Sequence, residues 1–193
     1  MKKGEVIIVI IISLIFIFTL TLFLIKSRKQ EGQTIEIIHK NQQCLVRTEE
    51  KIVRGNSLQG LIEDGQIIKA LFGYYDCNKI ERNDVVLYSV SGREAPLIKI
   101  IRGLPGDKFN LQIATAGGWH ILINNEILKN SQDTPYLISE QGYRMLSLFI
   151  NDFQGRIPAE AYLILSNLPQ GGIDSTQFGL IHKKDILGRV EFD

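Results

Sequence analysis

Redox and metal chemistry have few residues to work with in this sequence. Among 193 residues there are two cysteines and three histidines. Cys44 and Cys77 have neither CxxC nor metal-ligand spacing, and no His/Cys/carboxylate cluster forms, so no metal and no cofactor is expected. The two cysteines could pair in an oxidising compartment; a structural thiol is the plainer reading of each. A histidine triad lacks a well-framed imidazole. His39 adjoins Lys40, His182 precedes Lys183-Lys184, and His120 falls in a hairpin where it can simply face solvent. Charge of one sign is missing too. The 22 basic and 21 acidic residues leave a net charge of +1, with no basic face or tail of the kind nucleic acid requires. No internal repeat is visible, and no long segment after residue 26 shows a convincing 3.6-residue period. The part beyond that point is expected to be mostly β.

One long apolar run is present. Val6 to Ile25 is interrupted only by Ser13, Thr19 and Thr21. At 1.5 Å per residue it makes a helix of about 30 Å, the thickness of a bilayer's hydrocarbon core. A cleavable leader has a shorter apolar region followed by a small-residue cleavage site. Here the run ends in Lys26-Ser27-Arg28-Lys29. The expectation is a short tail over 1–5, a retained transmembrane helix over 6–25 in contact with membrane lipid, and a juxtamembrane linker with a first strand over 26–50. A β domain then fills 51–193, with 108–157 as a smaller insertion. Lys2 and Lys3 with the terminal amine, less Glu5, stand before the helix, and Lys26, Arg28 and Lys29 after it. Flanking charge therefore gives no decisive asymmetry and leans slightly against a domain outside the cytoplasm.

Strands are expected at Thr34–His39, Cys44–Val53, Gln66–Phe72, Val85–Val90, around Lys99, at Ala161–Leu165 and at Ile186–Phe192. Trp119–Ile123, Asn124-Asn125 and Glu126–Leu128 read as a hairpin, because asparagine tolerates the positive φ of a tight turn. Residues 129–156 read as polar turns around one apolar patch, and 166–178 as loop.

Two residues stand out chemically. Lys99 lies in Leu97-Ile98-Lys99-Ile100-Ile101, a run that otherwise reads as buried, before the turn Gly103-Leu104-Pro105-Gly106-Asp107. Burial disfavours the charged amine and lowers its pKa, which makes a lysine a general base. The bland alternative is an edge-strand lysine that deters aggregation. Ser57 sits in Arg54-Gly55-Asn56-Ser57, where small neighbours let a substrate backbone approach and free local N–H groups for an oxyanion. Gly-Asn-Ser is equally ordinary turn chemistry.

Together these residues resemble the type I signal peptidases, membrane-anchored Ser/Lys endopeptidases. The family pattern Gly-Asp/Asn-Ser-Met-x-Pro-Thr-Leu is similar to Gly55-Asn56-Ser57-Leu58-Gln59-Gly60-Leu61-Ile62. Arg-Gly-Asp followed by two apolar residues resembles Arg82-Asn83-Asp84-Val85-Val86. Lys-Arg-x-x-Gly-Leu-Pro-Gly-Asp is met by Lys99 and Gly103–Asp107 with its spacing kept. Trp119 to Asn125 is similar to a family strand ending in Asn-Gly, and Pro158 to Leu165 to the approach to the last box. That box, Gly-Asp-Asn…Ser-x-Asp-Ser-Arg-x-x-Gly, is met by Asp174-Ser175, Gly179 and the downstream Gly188-Arg189. The departures mark a divergent member: Leu58 for Met, Gly60-Leu61 for Pro-Thr, Ile100 for Arg with Arg102 nearby, Ser166-Asn167-Leu168 for Gly-Asp-Asn, Gly172 for Ser and Thr176 for Arg.

The resemblance implies an antiparallel β catalytic domain on the extracytoplasmic side of the cell membrane. It implies Ser57 as nucleophile, Lys99 as base, and Gly55, Asn56 and Ser57 around the oxyanion. Asp174, Ser175, Arg102 and Asp107 would be the supporting residues. The implied partners are signal-peptide-bearing precursors, bound as an added strand with small residues at P1 and P3. Two alternatives stay open: a processing peptidase for one dedicated precursor of pilin or conjugation type, and a degenerate membrane-tethered domain that only binds peptides.

Overall fold

Alternation along two strands sets apolar side chains on both faces of one sheet. Val85, Leu87 and Ile100 are buried on one side, and Val86, Tyr88 and Ile101 on the other. Each such side chain, fully buried, contributes roughly 1.5–3 kcal/mol, which is why this part of the chain is the centre of the fold. The computed structural model describes Thr21, residues 45–90 and residues 92–192. The rest of the apolar run 6–25, the strand expected over Thr34–His39, and Cys44 lie outside these residues. Among the described residues no helix is long and apolar enough to cross a membrane.

In chain order the strands are β1 (Arg47–Ile52), β2 (Ile67–Phe72), β3 (Val85–Tyr88), β4 (Leu97–Gly103), β5 (Phe109–Ile113), β6 (Trp119–Ile123), β7 (Glu126–Ile127), β8 (Ala161–Leu165), β9 (Ile181–His182) and β10 (Ile186–Glu191). Two helices interrupt them, α1 (Glu140–Asp152) and α2 (Ser175–Phe178). Seven strands form one antiparallel sheet in the order β1-β2-β10-β3-β4-β8-β9, and β5-β6-β7 form a second. Phe109, Ile121 and Ile123 of the second sheet pack with Leu146 of α1 and with Leu163 and Leu165 of β8.

Local chemistry sets the turns. Asn124 and Asn125 both take positive φ, 54° and 70°, as a two-residue hairpin loop between β6 and β7 requires. After β4, Gly106 adopts φ 86° and Asp107 N–H donates to Leu104 C=O at 3.1 Å. Pro105 presets the position before it.

Three expectations are corrected. The segment 166–178 is not loop throughout, because Asp174 caps the short helix α2 at Ser175–Phe178 by accepting from Thr176 N–H. Residues 129–156 are not only turns, because α1 occupies Glu140–Asp152. Ser139 caps it by accepting from Gly142 N–H, and Glu140 pairs with Arg144 one turn on. Leu146 is fully buried, and Tyr143 on the same face stacks on Trp119 at 4.6 Å. The thiol reading of Cys77 is also overturned: Cys77 is disulfide-bonded.

Candidate active site

The turn that carries Ser57 hangs between β1 and β2. Val53 N–H donates to Gln66 C=O and Gly65 N–H to Val53 C=O, which closes the loop at its base. Inside it, Leu58 and Ile62 are buried in the core, and the N–H groups of Leu61 and Ile62 both donate to Leu58 C=O. Leu58 thus acts as the plug that holds the preceding serine in place. Gly60 takes φ 82°, and a Cβ there would stand 2.5 Å from Gln132 Nε2. A proline, whose φ is fixed near −65°, has no place in this version of the turn.

The far side of Ser57 is tied to the end of β8. Asn167 N–H donates to Ser57 C=O at 2.7 Å, and its amide donates to Gln59 C=O at 2.9 Å. Asn130 in turn donates to Asn167 C=O, and Ser131 N–H to the Asn167 side chain. Asn167 is 1% exposed and clamps the serine turn onto the sheet. Sequence reading had not given it a role. Its one signal was a polar pair, Ser166-Asn167, directly after the apolar strand 161–165.

Lys99 projects from β4, 2% exposed. Its Nζ lies 2.9 Å from Ser57 Oγ and donates to Ile98 C=O at 2.8 Å. Burial pushes its pKa down from 10.5 to about 8; the Asp174 charge opposes this and Arg93 assists it. Asp174 is fully buried. One of its oxygens accepts from Ser166 N–H, and the other from the N–H and hydroxyl of Thr176 at the start of α2. Ser175 Oγ accepts from Ile164 N–H in β8. Asp174 and Ser175 therefore fix the short helix α2 against the strand next to Lys99.

The other expected residues stand elsewhere. Gly55 and Asn56 are exposed on the serine turn, and Gly55 N–H is engaged by Asp64 at 2.8 Å. It is not free to receive an oxyanion. Arg102 sits at the register irregularity between Ile101 and Gly103 of β4 and lines a cavity with Ile100, whose side chain lies on the other face of the strand from Lys99; it donates to Asn83 at 2.6 Å. Asp107 holds its own turn by accepting from Leu104 N–H, and it pairs with Arg82. Neither Arg102 nor Asp107 is hydrogen-bonded or ion-paired to Ser57 or Lys99. Among the described residues no group of His, Cys, Asp and Glu could hold a metal.

A family model described as signal peptidase, peptidase S26, matches residues 3–193. The chain belongs to this signal peptidase family. It is 25% identical over 151 residues to signal peptidase IB of Staphylococcus aureus strain COL, covering 72% of this chain and 74% of that protein. It is equally 25% identical over 151 residues to signal peptidase I of Bacillus caldolyticus, covering 73% and 76%. A crystal structure of a signal peptidase I from Enterococcus faecalis V583 aligns with a TM-score of 0.38 and 17% identity, over 59% of this chain and 98% of that one. Identity of 25% agrees with the divergence visible in the boxes.

Proposed function

We propose that this signal peptidase family member is a serine endopeptidase that cleaves signal peptides from translocated precursors with Ser57 as nucleophile and Lys99 as general base. The observation that carries the reading is the 2.9 Å contact between Ser57 Oγ and a lysine amine buried to 2% exposure. With its pKa near 8, Lys99 is neutral in an appreciable fraction of molecules at mildly alkaline pH. Its lone pair then accepts the Ser57 hydroxyl proton as Oγ attacks the scissile carbonyl. The ammonium so formed delivers that proton to the leaving amine, and water repeats the sequence on the acyl-enzyme. The Ser57 backbone N–H is the oxyanion donor in this reading. A donor of this kind is worth about 2.7–4 kcal/mol.

The apolar run Val6–Ile25 would anchor the domain, so that cleavage happens at the membrane surface. The disulfide at Cys77 supports an extracytoplasmic placement, since such bonds persist in oxidising compartments. Detergent-solubilised full-length protein should cut a panel of secretory precursors after small residues at P3 and P1, with the cut mapped by mass spectrometry. Cleavage of a single precursor in the panel would narrow the reading to a dedicated peptidase. No cleavage of any of them, or equal cleavage by Ser57→Ala, would remove the proposal.

A further inference from the structure

Ser166 is fully buried, and among the described residues its Oγ has no hydrogen-bond partner. Leaving a buried hydroxyl unpaired is unfavourable, so its position calls for a reason. The register of β4 and β8 suggests one. Ile100 pairs with Leu165 and Ile101 with Ile164, and Ser166 directly follows the end of β8, so that register carried on by one residue leads to Lys99. Cross-strand neighbours point to the same face. Lys99 Nζ is turned back onto its own strand, to Ile98 C=O, which keeps the amine close to that face. Asn167 N–H, one residue on, holds Ser57 C=O. The serine turn, the amine and the unpaired hydroxyl thus meet at one corner of the sheet.

We propose that Ser166 is a positioning residue for Lys99, its Oγ serving as the third hydrogen-bond partner of the amine beside Ser57 Oγ and Ile98 C=O. An ammonium has three N–H donors, and the structure gives Nζ two acceptors. In the neutral amine, two N–H bonds directed at Ile98 C=O and Ser166 Oγ leave the lone pair facing the Ser57 hydroxyl. When Ser57 gives up its proton, that proton becomes the third N–H, and the other two bonds stay in place. The surroundings fit a hydroxyl assigned to this duty. Ser166 N–H is fixed by Asp174 at 2.8 Å, and a Cβ on Gly172 would lie 3.3 Å from Ser166 Oγ and 3.8 Å from Asp174 Oδ2. Glycine at 172 leaves room for the hydroxyl that 166 supplies, and Gly172 has no positive φ that would bar a side chain.

This inference rests on the Ser57/Lys99 reading, and one experiment tests the two separately. Full-length protein in detergent is assayed on a fluorogenic peptide with alanine at P1 and P3. Ser166→Ala should lower kcat about 10–100-fold with KM little changed. Its kcat/KM profile should begin to rise at lower pH, because an acceptor that favours the ammonium is gone. A residue that merely packs would change thermal stability without moving that limb. Ser166→Gly should lose activity similarly, and the double variant Ser166→Gly/Gly172→Ser, which returns a hydroxyl from the neighbouring backbone, should regain at least tenfold. Ser166→Ala with wild-type kcat and pH profile would overturn the inference, as would a double variant no better than Ser166→Gly. Retained cleavage by Ser57→Ala would overturn the dyad itself.

Discussion

Lys99 and Arg102 are two cations on one strand, exposed by only 2% and 6%, and they face opposite ways. Lys99 meets a serine hydroxyl and a main-chain carbonyl. Arg102 donates to Asn83 and lies 6.0 Å from the centre of the Tyr136 ring. Burial lowers the pKa of the Lys99 amine, and an amine, unlike the planar five-donor fork of a guanidinium, can serve as a proton acceptor for a neighbouring hydroxyl. The difference teaches that a buried cation marks chemistry only where its proton can leave and a nucleophile can supply the next one.

The strongest way to break the comparison is to make the two residues alike. Lys99→Arg keeps the charge and, in the proposed mechanism, removes the base, so kcat/KM on the peptide substrate should fall at least ~1,000-fold, with Ser57→Ala equally inactive if the proposed pair acts as a unit. A Lys99→Arg enzyme within tenfold of wild type would end the comparison. The pH profile sharpens it. In the wild type, kcat/KM should climb with pH and level off above about 8, below the value of about 10.4 for a free lysine and above that of about 6.5 for a free imidazole. A limb near 6.5, abolished by replacing the histidines, would assign the base elsewhere.

Much of this was legible because strands carry their message locally. Val85-Val86-Leu87-Tyr88 and Leu97-Ile98 read as strand from composition, and Asn124-Asn125 read as a hairpin turn. Helix α1 was not, although its apolar spacing Tyr143, Leu146, Ile150 is helical. Gly142, Ser147 and Asn151 dilute the pattern, and the capping serine is visible only once the helix is known. Ser166 and Asn167 were illegible for a different reason. What they do depends on which residue lies across the strand pair and on a turn more than 100 positions away, as in the Asn167 bond to Gln59. The boxes around Ser57 and Lys99 pointed to those two residues; they carried no sign that Arg102 and Asp107 stand apart from them.

A smaller effect concerns stability. The unfolded chain keeps the Lys99 proton up to about pH 10.5, whereas the folded protein releases it near 8. The folded state therefore binds fewer protons between these values, and stability should rise with pH across that window. Below pH 8 the full penalty applies. Lys99→Met, of similar length and without charge, should therefore be more stable than wild type at pH 7, on the order of 1–3 kcal/mol. The gap should shrink toward pH 10.5. Equal urea midpoints at pH 7 would show that the amine's burial is already compensated.

The smallest effect is expected from Arg102→Lys. The substitution keeps a cation that is hydrogen-bonded to neither Ser57 nor Lys99 and removes the planar fork that reaches Asn83 and lies beside Tyr136. Losing one such hydrogen bond and the ring contact should cost about 1 kcal/mol. The position borders a cavity of about 440 Å³ lined also by Asn83, Asn130 and Arg189, which leaves space for an ammonium to keep water around it. Because residues 99 and 102 project from opposite faces of β4, the new amine should not touch the dyad. Peptide cleavage should stay within about twofold of wild type, with its ascending limb still near pH 8. A limb that moves by half a unit or more would mean that the two faces of β4 are electrostatically coupled, and the contrast between its two cations would then be one of degree.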